Sequence, residues 1–207
     1  SISRSAAFGQ KEVRLNVAGD ADRPVSYMAW STGQREFFPL LLGCYGLLPA
    51  GKITKHKEVE WVVIEEPEMG LHPMAIFAVM ALILDLLSRG YKVVVTTHSS
   101  NVLDIVWATE TIKQRAIPED SKVGLISRLL DLPENNTVIY DMIAKVMKLK
   151  FRTHSFYYAK SRVFSKDISS LDPGDEDEIV AGWGGLAAYS GRVSDTVAEA
   201  VRMSFND

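Results

Sequence analysis

Two short runs of apolar residues in the first half of the chain each end abruptly in polar residues. Trp61–Ile64 leads directly into Glu65 and Glu66, and Lys92–Thr97, apolar at its centre, leads into His98. Unbroken apolar runs of this kind are typical of central parallel strands that are buried on both faces. The pattern therefore predicts two parallel strands, each covered on both sides by other elements.

An apolar helix is predicted between these two strands. Pro73 suits the first helical position, the helix reaches about Ser88, and Gly90 suits its end cap. The helix is apolar nearly all round, so we expect it to be deeply buried. The result is a right-handed βαβ unit that brings the polar ends of both strands to one edge of the sheet.

The rest of the pattern predicts short elements around this unit. Two strands are expected at Glu12–Ala18 and Val25–Trp30, joined by a turn-rich stretch over 19–24. A helix opens after Ser31, and Pro39 should bend it or loosen its first turns. Further elements are expected as helices at 101–115, 119–132 and 136–150, an amphipathic hairpin packed on the sheet, an acidic turn and helix start at 172–178, and a last helix capped by Ser194.

Composition narrows the class of protein. Of the 207 residues, 47% are hydrophobic and 24% charged, which is ordinary for a globular domain. The net charge of −3 means that any contact with nucleic acid has to be local. The single Cys44 excludes an internal disulfide and suits a reducing cytoplasm. The longest apolar helix stops near Asp85, too short to cross a bilayer, so we expect a cytoplasmic protein without a membrane partner.

Glu65 and Glu66 are the strongest candidates for chemistry. Adjacent carboxylates are costly to hold away from water unless a cation or a proton is at hand. The carboxyl edge of a parallel sheet is also where α/β proteins place their ligands. One carboxylate for Mg²⁺ and one that orients water would suit a phosphoryl-transfer site. His98 ends the neighbouring strand, and a structural role for it stays open beside a catalytic one.

Two further positions allow a structural and a functional interpretation. Ser31 and Gln34 fit a capping box, but a helix start that also carries Gly33 can hold phosphate with its free N–H groups. His72 can cap the helix that begins at Pro73, or it can line a seam between subunits. The residues alone leave both pairs of alternatives open.

Taken together, these motifs resemble those of ABC-class ATPases, in the family's order. Ser31-Thr32-Gly33-Gln34 resembles the signature with Thr32 in place of its first glycine, and Glu65-Glu66 resembles Walker B. Met69–Pro73 is similar to the D-loop, and His98 to the switch histidine. The motif Glu65-Glu66-Pro67-Glu68, followed by Gly70-Leu71-His72-Pro73, most resembles the motifs of OLD-like and RecF/SMC-like ATPases. The resemblance covers about residues 25–105.

The resemblance implies a fold and a reaction. The fold is α/β, the P-loop NTPase-like C-terminal lobe of an ABC ATPase, with a parallel βαβ core, flanking helices and a small hairpin and helical extension. Residues 1–115 would form the ATPase lobe, and residues 116–207 a helical and hairpin part of the same domain. The cofactors implied are ATP and Mg²⁺. The implied roles are Mg²⁺ binding by Glu65, water activation by Glu66 and γ-phosphate contact by His98. Ser31, Gly33 and Gln34 would close over the ATP of a second subunit, and Thr32 and His72 are further candidates for binding the cofactor.

The resemblance also implies partners. A signature that closes over the other subunit's ATP predicts a homodimer formed as an ATP sandwich. Gly46–Lys52 matches part of a Walker A loop, but Ile53 stands where Ser or Thr belongs and the stretch follows a helix, so we reject it. We therefore expect a missing N-terminal lobe to supply Walker A, and this chain to be the C-terminal lobe of a longer ATPase.

Two alternatives to an ATPase remain, and contact with DNA is a separate open question. A non-catalytic, ATP-gated interaction module would use the same motifs without turnover. Residues 142–166 contain no acidic residue and mix cations with aromatics, so contact with DNA stays open beside a plain hairpin. Asp175 and Asp177 could be the metal pair of a Toprim-like nuclease, although they follow Pro173-Gly174 rather than a buried strand, which favours a simple turn.

Overall fold

The structure is a computed structural model that describes residues 2–7, 10–17, 20–49 and 54–204. Its regular elements in chain order are β1 (Ile2–Ala7), β2 (Gln10–Val17), β3 (Asp20–Ser26), α1 (Thr32–Leu47), β4 (Trp61–Glu65), α2 (Pro73–Ser88), β5 (Lys92–Thr96), α3 (Ser100–Gln114), α4 (Glu119–Leu129), α5 (Thr137–Val146), β6 (His154–Ala159), β7 (Arg162–Asp167), α6 (Glu178–Ala181) and α7 (Ala188–Ser204). Short 3-10 helices lie at Tyr27–Ala29 and Trp183–Gly185.

The central βαβ unit agrees with the sequence prediction. Strands β4 and β5 pair in parallel, with Trp61 opposite Lys92 and Glu65 opposite Thr96. Helix α2 connects them and buries a row of large apolar side chains. Gly90 follows this helix with φ +93°, a left-handed conformation that glycine adopts without steric cost. Both strands consequently end at the same edge of the pair.

One face of this pair is exposed, which corrects the expectation that the strands are covered on both sides. Val62, Ile64, Val93 and Val95 pack into the main core. On the opposite face, Trp61 is 58% exposed, Val63 63% and Val94 41%. A sheet of two strands needs a second packed layer to bury both faces. The part of the chain that the structure describes provides a layer on one face and leaves the other apolar face open.

The N-terminal strands differ from the prediction. β1, β2 and β3 form an antiparallel sheet, with Arg14 opposite Ser26 in the β2–β3 pair. The second predicted strand, Val25–Trp30, is wrong in position because β3 ends at Ser26 and a 3-10 turn follows. Pairing with β2 satisfies the backbone of the polar stretch after Asp20 and overrides its turn-like composition. Trp30 is buried after the 3-10 turn, and its indole N–H donates to the carbonyl of Val25 at 3.1 Å.

The helices behind the strands form two apolar clusters that α3 connects. Val102 and Ile105 of α3 belong to the main cluster with α2, α4 and α5. Leu103 of the same helix belongs to a second cluster around Trp183. Trp107 and Trp183 lie with ring centroids 6.2 Å apart. Among the described residues, no helix combines the length and the apolar character that crossing a membrane requires.

The C-terminal region corrects two further expectations. The β6–β7 hairpin forms its own sheet, with Phe156 72% and Tyr158 73% exposed, so it is not packed on the β4–β5 sheet as predicted. The last helix begins at Ala188 rather than at Ser194. Ser194 lies inside this helix because backbone bonding already begins at the amide of Gly191, which donates to the carbonyl of Ala187. The capping preference of a serine does not act where the helix has already started.

Candidate functional site

The turn that follows β4 places two carboxylates at the edge of the sheet. Glu65 is the last residue of the strand and is exposed. Glu66 has φ +44°, a left-handed conformation that is uncommon for a residue other than glycine. Its amide donates to the carbonyl of Thr96 at 2.9 Å, and its own carbonyl accepts from the amide of Met69 at 2.9 Å. Such backbone conformations cost free energy and are found most often at functional sites.

The structure brings Glu66 and His98 together across the two strands. Nε2 of His98 lies 3.4 Å from Oε1 of Glu66. The side chain of His98 is 82% exposed and that of Glu66 is 37% exposed. The pair is therefore open to a ligand that approaches the carboxyl edge. Their assignment to water activation and phosphate contact stays a prediction.

A third carboxylate, Glu68, was not among the predicted site residues. Its Oε1 accepts from the hydroxyl of Thr97 at 2.6 Å and from the backbone amide of His98 at 2.8 Å. Its Oε2 is buried and has no hydrogen-bond partner among the described residues. The only signals in the sequence were a third Glu soon after Pro67 and a Thr before the histidine, and neither shows that they meet.

The start of α1 is a complete capping box. The hydroxyl of Ser31 accepts from the amide of Gln34 at 3.3 Å, and the side chain of Gln34 accepts from the amide of Ser31 at 2.9 Å. The predicted capping role of both residues is thus confirmed. Ser31, Thr32 and Gln34 are exposed, whereas Gly33 is buried. The role of this helix start in binding phosphate stays a prediction.

Gly33 connects this helix start to the turn after β4. A Cβ atom placed on Gly33 would lie 2.2 Å from the carbonyl oxygen of Gly70, which is far inside contact distance. A Cβ on Gly70, where φ is +66°, would lie 3.1 Å from the amide nitrogen of Gly33. The predicted signature and D-loop segments therefore touch through their backbones, and the contact requires glycine at both positions.

His72 caps α2. Its Nδ1 accepts from the amide of Met74 at 3.2 Å, and Pro73 takes the first helical position. This is one of the two roles that the sequence left open for His72. The residue is exposed, and its other role, contact with a nucleotide between subunits, stays a prediction.

The donors at this edge suit Mg²⁺ only in part. In the described ranges, no group of three or more His, Cys, Asp or Glu side chains is placed to hold a metal ion. Mg²⁺ is usually held by one or two carboxylates together with phosphate oxygens and water, rather than by a cage of protein ligands. The exposed carboxylate of Glu65 at the strand end fits this mode of binding.

Asp175 and Asp177 have local structural roles. Asp175 accepts from the amide of Asp177 at 2.9 Å, and Asp177 accepts from the amide of Ile179 at the start of α6 at 2.9 Å. The second oxygen of Asp177 pairs with Lys166, whose hydrogen bond lowers the pKa of this carboxyl. These contacts favour a turn and a helix start over the alternative of a nuclease metal pair.

The rejected phosphate-loop match lies partly outside the described residues. Helix α1 continues through Gly46 to Leu47 and is capped by Leu48, so the first glycine of the match is helical. Ala50 to Ile53, which include Gly51 and Lys52, lie outside the described residues. Because Gly46 is helical, this stretch does not have the form of a phosphate loop.

A cavity of about 630 Å³ reaches the candidate site at one end. It runs between β5, α3 and residues 149–156, and its wall includes Thr97 and His98 but neither Glu65 nor Glu66. Most of its exposed lining is apolar, which does not suit a triphosphate. The candidate chemistry therefore belongs to the open carboxyl edge.

Comparisons with known proteins point to the same part of the chain. Residues 9–104 match the family model described as "AAA domain, putative AbiEii toxin, Type IV TA system". The Old nuclease of Escherichia phage P2 is 38% identical over 67 residues, which are 32% of this chain and 11% of that protein. No solved structure gives a significant match. Residues 9–104 are thus similar to an AAA-type domain, and the weaker likeness to an OLD protein supports a P-loop NTPase-like α/β fold related to ATPases.

Proposed function

We propose that this chain carries the catalytic carboxylates and the signature of an ABC-class, OLD-like ATPase that binds and hydrolyses Mg-ATP. The observation that carries the proposal is the 3.4 Å approach of Glu66 to His98 at the carboxyl edge of a parallel strand pair. The match to an AAA-type domain over residues 9–104 supports it from an independent direction.

In the proposed mechanism, each polar group of the edge has one task. Glu65 would hold Mg²⁺ directly or through water, and the ion would supply positive charge against the phosphates. Glu66 accepts a hydrogen bond from the attacking water and so orients it. The exposed ring of His98 donates to the γ-phosphate. Because Glu65, Glu66 and the backbone of His98 lie at the ends of paired strands, the backbone that carries the three groups is fixed before the nucleotide binds.

The start of α1 is proposed to act on the ATP of a second copy of the chain. Its first amides lack partners within the helix and lie at the positive end of the helix dipole, where anions bind well. Ser31, Thr32 and Gln34 are exposed there, beside the Gly33–Gly70 contact. Two chains that each present this helix start to the other's ATP would bury two nucleotides between them, with His72 at the seam. The resulting assembly is a homodimer that forms only with ATP.

The proposal requires a phosphate-binding loop from another lobe of the ATPase. The face formed by Trp61, Val63 and Val94 is apolar and exposed in the described residues, which suits contact with another strand or helix. The chain covers 11% of the length of the Old nuclease that it matches. We propose that a lobe with Walker A packs on this face and completes the nucleotide site.

The test is Glu66→Gln in a form of the protein that includes the Walker A lobe. The amide keeps the size of the side chain but accepts protons poorly, so phosphate release should fall by about 100-fold or more. ATP-dependent dimerisation, followed by light scattering, should remain and should last longer. Glu199→Gln on the exposed part of α7 is the matched control and should leave both measurements unchanged.

Two results would contradict the proposal. Unchanged phosphate release by Glu66→Gln would exclude Glu66 as the group that activates water. A parent protein that dimerises with ATP but releases no phosphate would instead support the non-catalytic, ATP-gated module.

Calorimetry of Mg-ATP with the 207-residue chain alone adds a direct check on the missing lobe. No binding is expected, and micromolar binding would show that this chain already contains its phosphate loop.

A further inference from the structure

We propose that Glu68 is a positioning residue that fixes the loop bearing His98 against the turn bearing Glu66. The inference rests on the proposed ATPase function for its catalytic consequence. Its structural half, the anchoring of the loop, stands on the contacts of Glu68 alone.

One carboxylate oxygen of Glu68 anchors the loop between β5 and α3, residues 97–99. Oε1 accepts two hydrogen bonds, from the Thr97 hydroxyl at 2.6 Å and from the His98 amide at 2.8 Å. The Thr97 hydroxyl oxygen in turn accepts from the amide of Ser99 at 3.0 Å. Three consecutive residues after β5 are thereby tied, directly or through Thr97, to a single side chain of the turn after β4.

The anchoring matters because the imidazole itself is loosely held. The ring is 82% exposed, and its one polar contact among the described residues is Glu66 at 3.4 Å. The position of the ring therefore depends on where the backbone of residue 98 is fixed. The amide of Glu66 bonds to the carbonyl of Thr96 at 2.9 Å, and Glu68 adds the bonds to Thr97 and His98. The turn that carries Glu66 is therefore bonded to the loop that carries His98 both before Thr97, at Thr96, and after it, at His98.

The position of Glu68 strengthens this link, because the residue is half-buried. Hydrogen bonds to an ionised acceptor are shorter and stronger than those between neutral groups, and more so where water is excluded. Oε2 is buried and has no partner in the described part of the chain, so only Oε1 performs the anchoring. A glutamine can place its carbonyl oxygen at the same point. The geometry therefore separates anchoring from direct catalysis, since anchoring tolerates Glu68→Gln and proton transfer or metal binding does not.

The first experiment measures amide hydrogen exchange in the 207-residue chain without nucleotide. Glu68→Ala should speed exchange of the His98 amide by about tenfold or more, because a bond to a charged acceptor is lost. Glu68→Gln should stay within about threefold of the parent, with a neutral acceptor in place. Thr97→Val removes the hydroxyl and should speed exchange at Ser99 while His98 keeps its bond. Glu58→Ala, an exposed residue before β4, is the control. Unchanged exchange at His98 in Glu68→Ala would overturn the proposal.

The second experiment measures steady-state hydrolysis in the form that includes the Walker A lobe. Glu68→Ala should lower kcat by about tenfold or more and leave KM within about threefold, since the misplaced ring affects the transition state rather than ATP binding. Glu68→Gln should retain most of kcat, whereas Glu66→Gln should not.

The outcomes separate the two proposals. A parent that hydrolyses ATP, with an unchanged kcat in Glu68→Ala, overturns the positioning role and leaves the proposed function standing. A Glu68→Gln variant as inactive as Glu66→Gln also overturns it, because Glu68 would then act on the reactants directly. A parent without hydrolysis refutes the ATPase function and the catalytic half of this inference, while the exchange experiment still decides the anchoring.

Discussion

The backbone of Gly33 packs directly against the carbonyl group of Gly70, so closely that a Cβ atom on Gly33 would lie 2.2 Å from that oxygen. This contact joins the first turn of α1 to the turn that carries Glu66 and Glu68. Because backbone atoms form it on both sides, no rotamer change can relieve an added methyl group. A shift at the start of α1 is therefore passed on to the turn.

Gly33→Ala should destabilise the chain. The added methyl overlaps the Gly70 carbonyl and must push the two segments apart, which we expect to cost about 1–3 kcal/mol. Gly43→Ala is the matched control in the same helix, where a Cβ meets nothing within 4 Å. It should stabilise by about 0.5–1 kcal/mol through helix propensity. Urea unfolding measures both, and equal effects of the two substitutions would contradict the close contact.

Ser31→Ala should remove the cap of α1. The hydroxyl accepts from the Gln34 amide, and a lost cap of this type costs about 1 kcal/mol. Ser194→Ala is the contrast, because Ser194 lies inside α7 and is exposed. That substitution should be neutral or slightly stabilising. Thermal unfolding of both variants gives the comparison, and a clear loss of stability in Ser194→Ala would restore its predicted capping role.

The pair formed by Asp177 and Lys166 should give the chain an acid-sensitive contribution to stability. The hydrogen bond from Lys166 lowers the pKa of Asp177 in the folded chain below its ordinary value. A lowered folded pKa contributes stability above the unfolded pKa, and this contribution is lost as pH falls through the folded value, below about pH 4.

Asp177→Asn should thus be less stable than the parent at neutral pH, and the difference should shrink in acid. Lys166→Met should reduce the same pH dependence, because it removes the main cause of the shift. Unfolding by urea at a series of pH values tests both variants. A difference between Asp177→Asn and the parent that is constant with pH would show that the ion pair contributes nothing.

The exposed face of the strand pair should tolerate a charge that the buried face does not. Val63 is 63% exposed and Ile64 is 7% exposed, although they are neighbours in one strand. Val63→Lys should change the stability of this chain by about 0.5 kcal/mol or less, while Ile64→Ala should cost about 2–4 kcal/mol. In the form with the Walker A lobe, Val63→Lys should also abolish ATP binding, and Val63→Thr should preserve it. Retained ATP binding in Val63→Lys would place the lobe elsewhere.

The sequence was informative where structure follows from local pattern. The apolar runs before Glu65 and His98 identified the parallel strands, and Ser31 with Gln34 identified a helix start, because period and capping are properties of adjacent residues. The anchoring by Glu68 was missed because its partners, Thr97 and His98, lie 29 and 30 residues further along the chain. No local signal in the sequence shows which carboxylate meets which loop.

The errors have a similar origin. β3 was missed over its polar first half because pairing with β2, and not its composition, makes it a strand. The second face of the β4–β5 pair was expected to be covered, but an unbroken apolar run shows only that a strand can be buried on both faces, and not which other elements are present to bury it. Trp61 and Val63 therefore lie in a strand, as predicted, but they are exposed and not buried.

Helix α3 gives the candidate site a built-in optical reporter. It begins two residues after His98 and carries Trp107, whose ring lies 6.2 Å from that of Trp183. The two sides of the helix pack in different clusters, so a rigid displacement of its first turn alters the distance and angle between the two indoles. Indole emission depends on such surroundings. In the proposed mechanism, a movement of the loop that meets the γ-phosphate would thus change the emission of two native indoles, and no label has to be introduced.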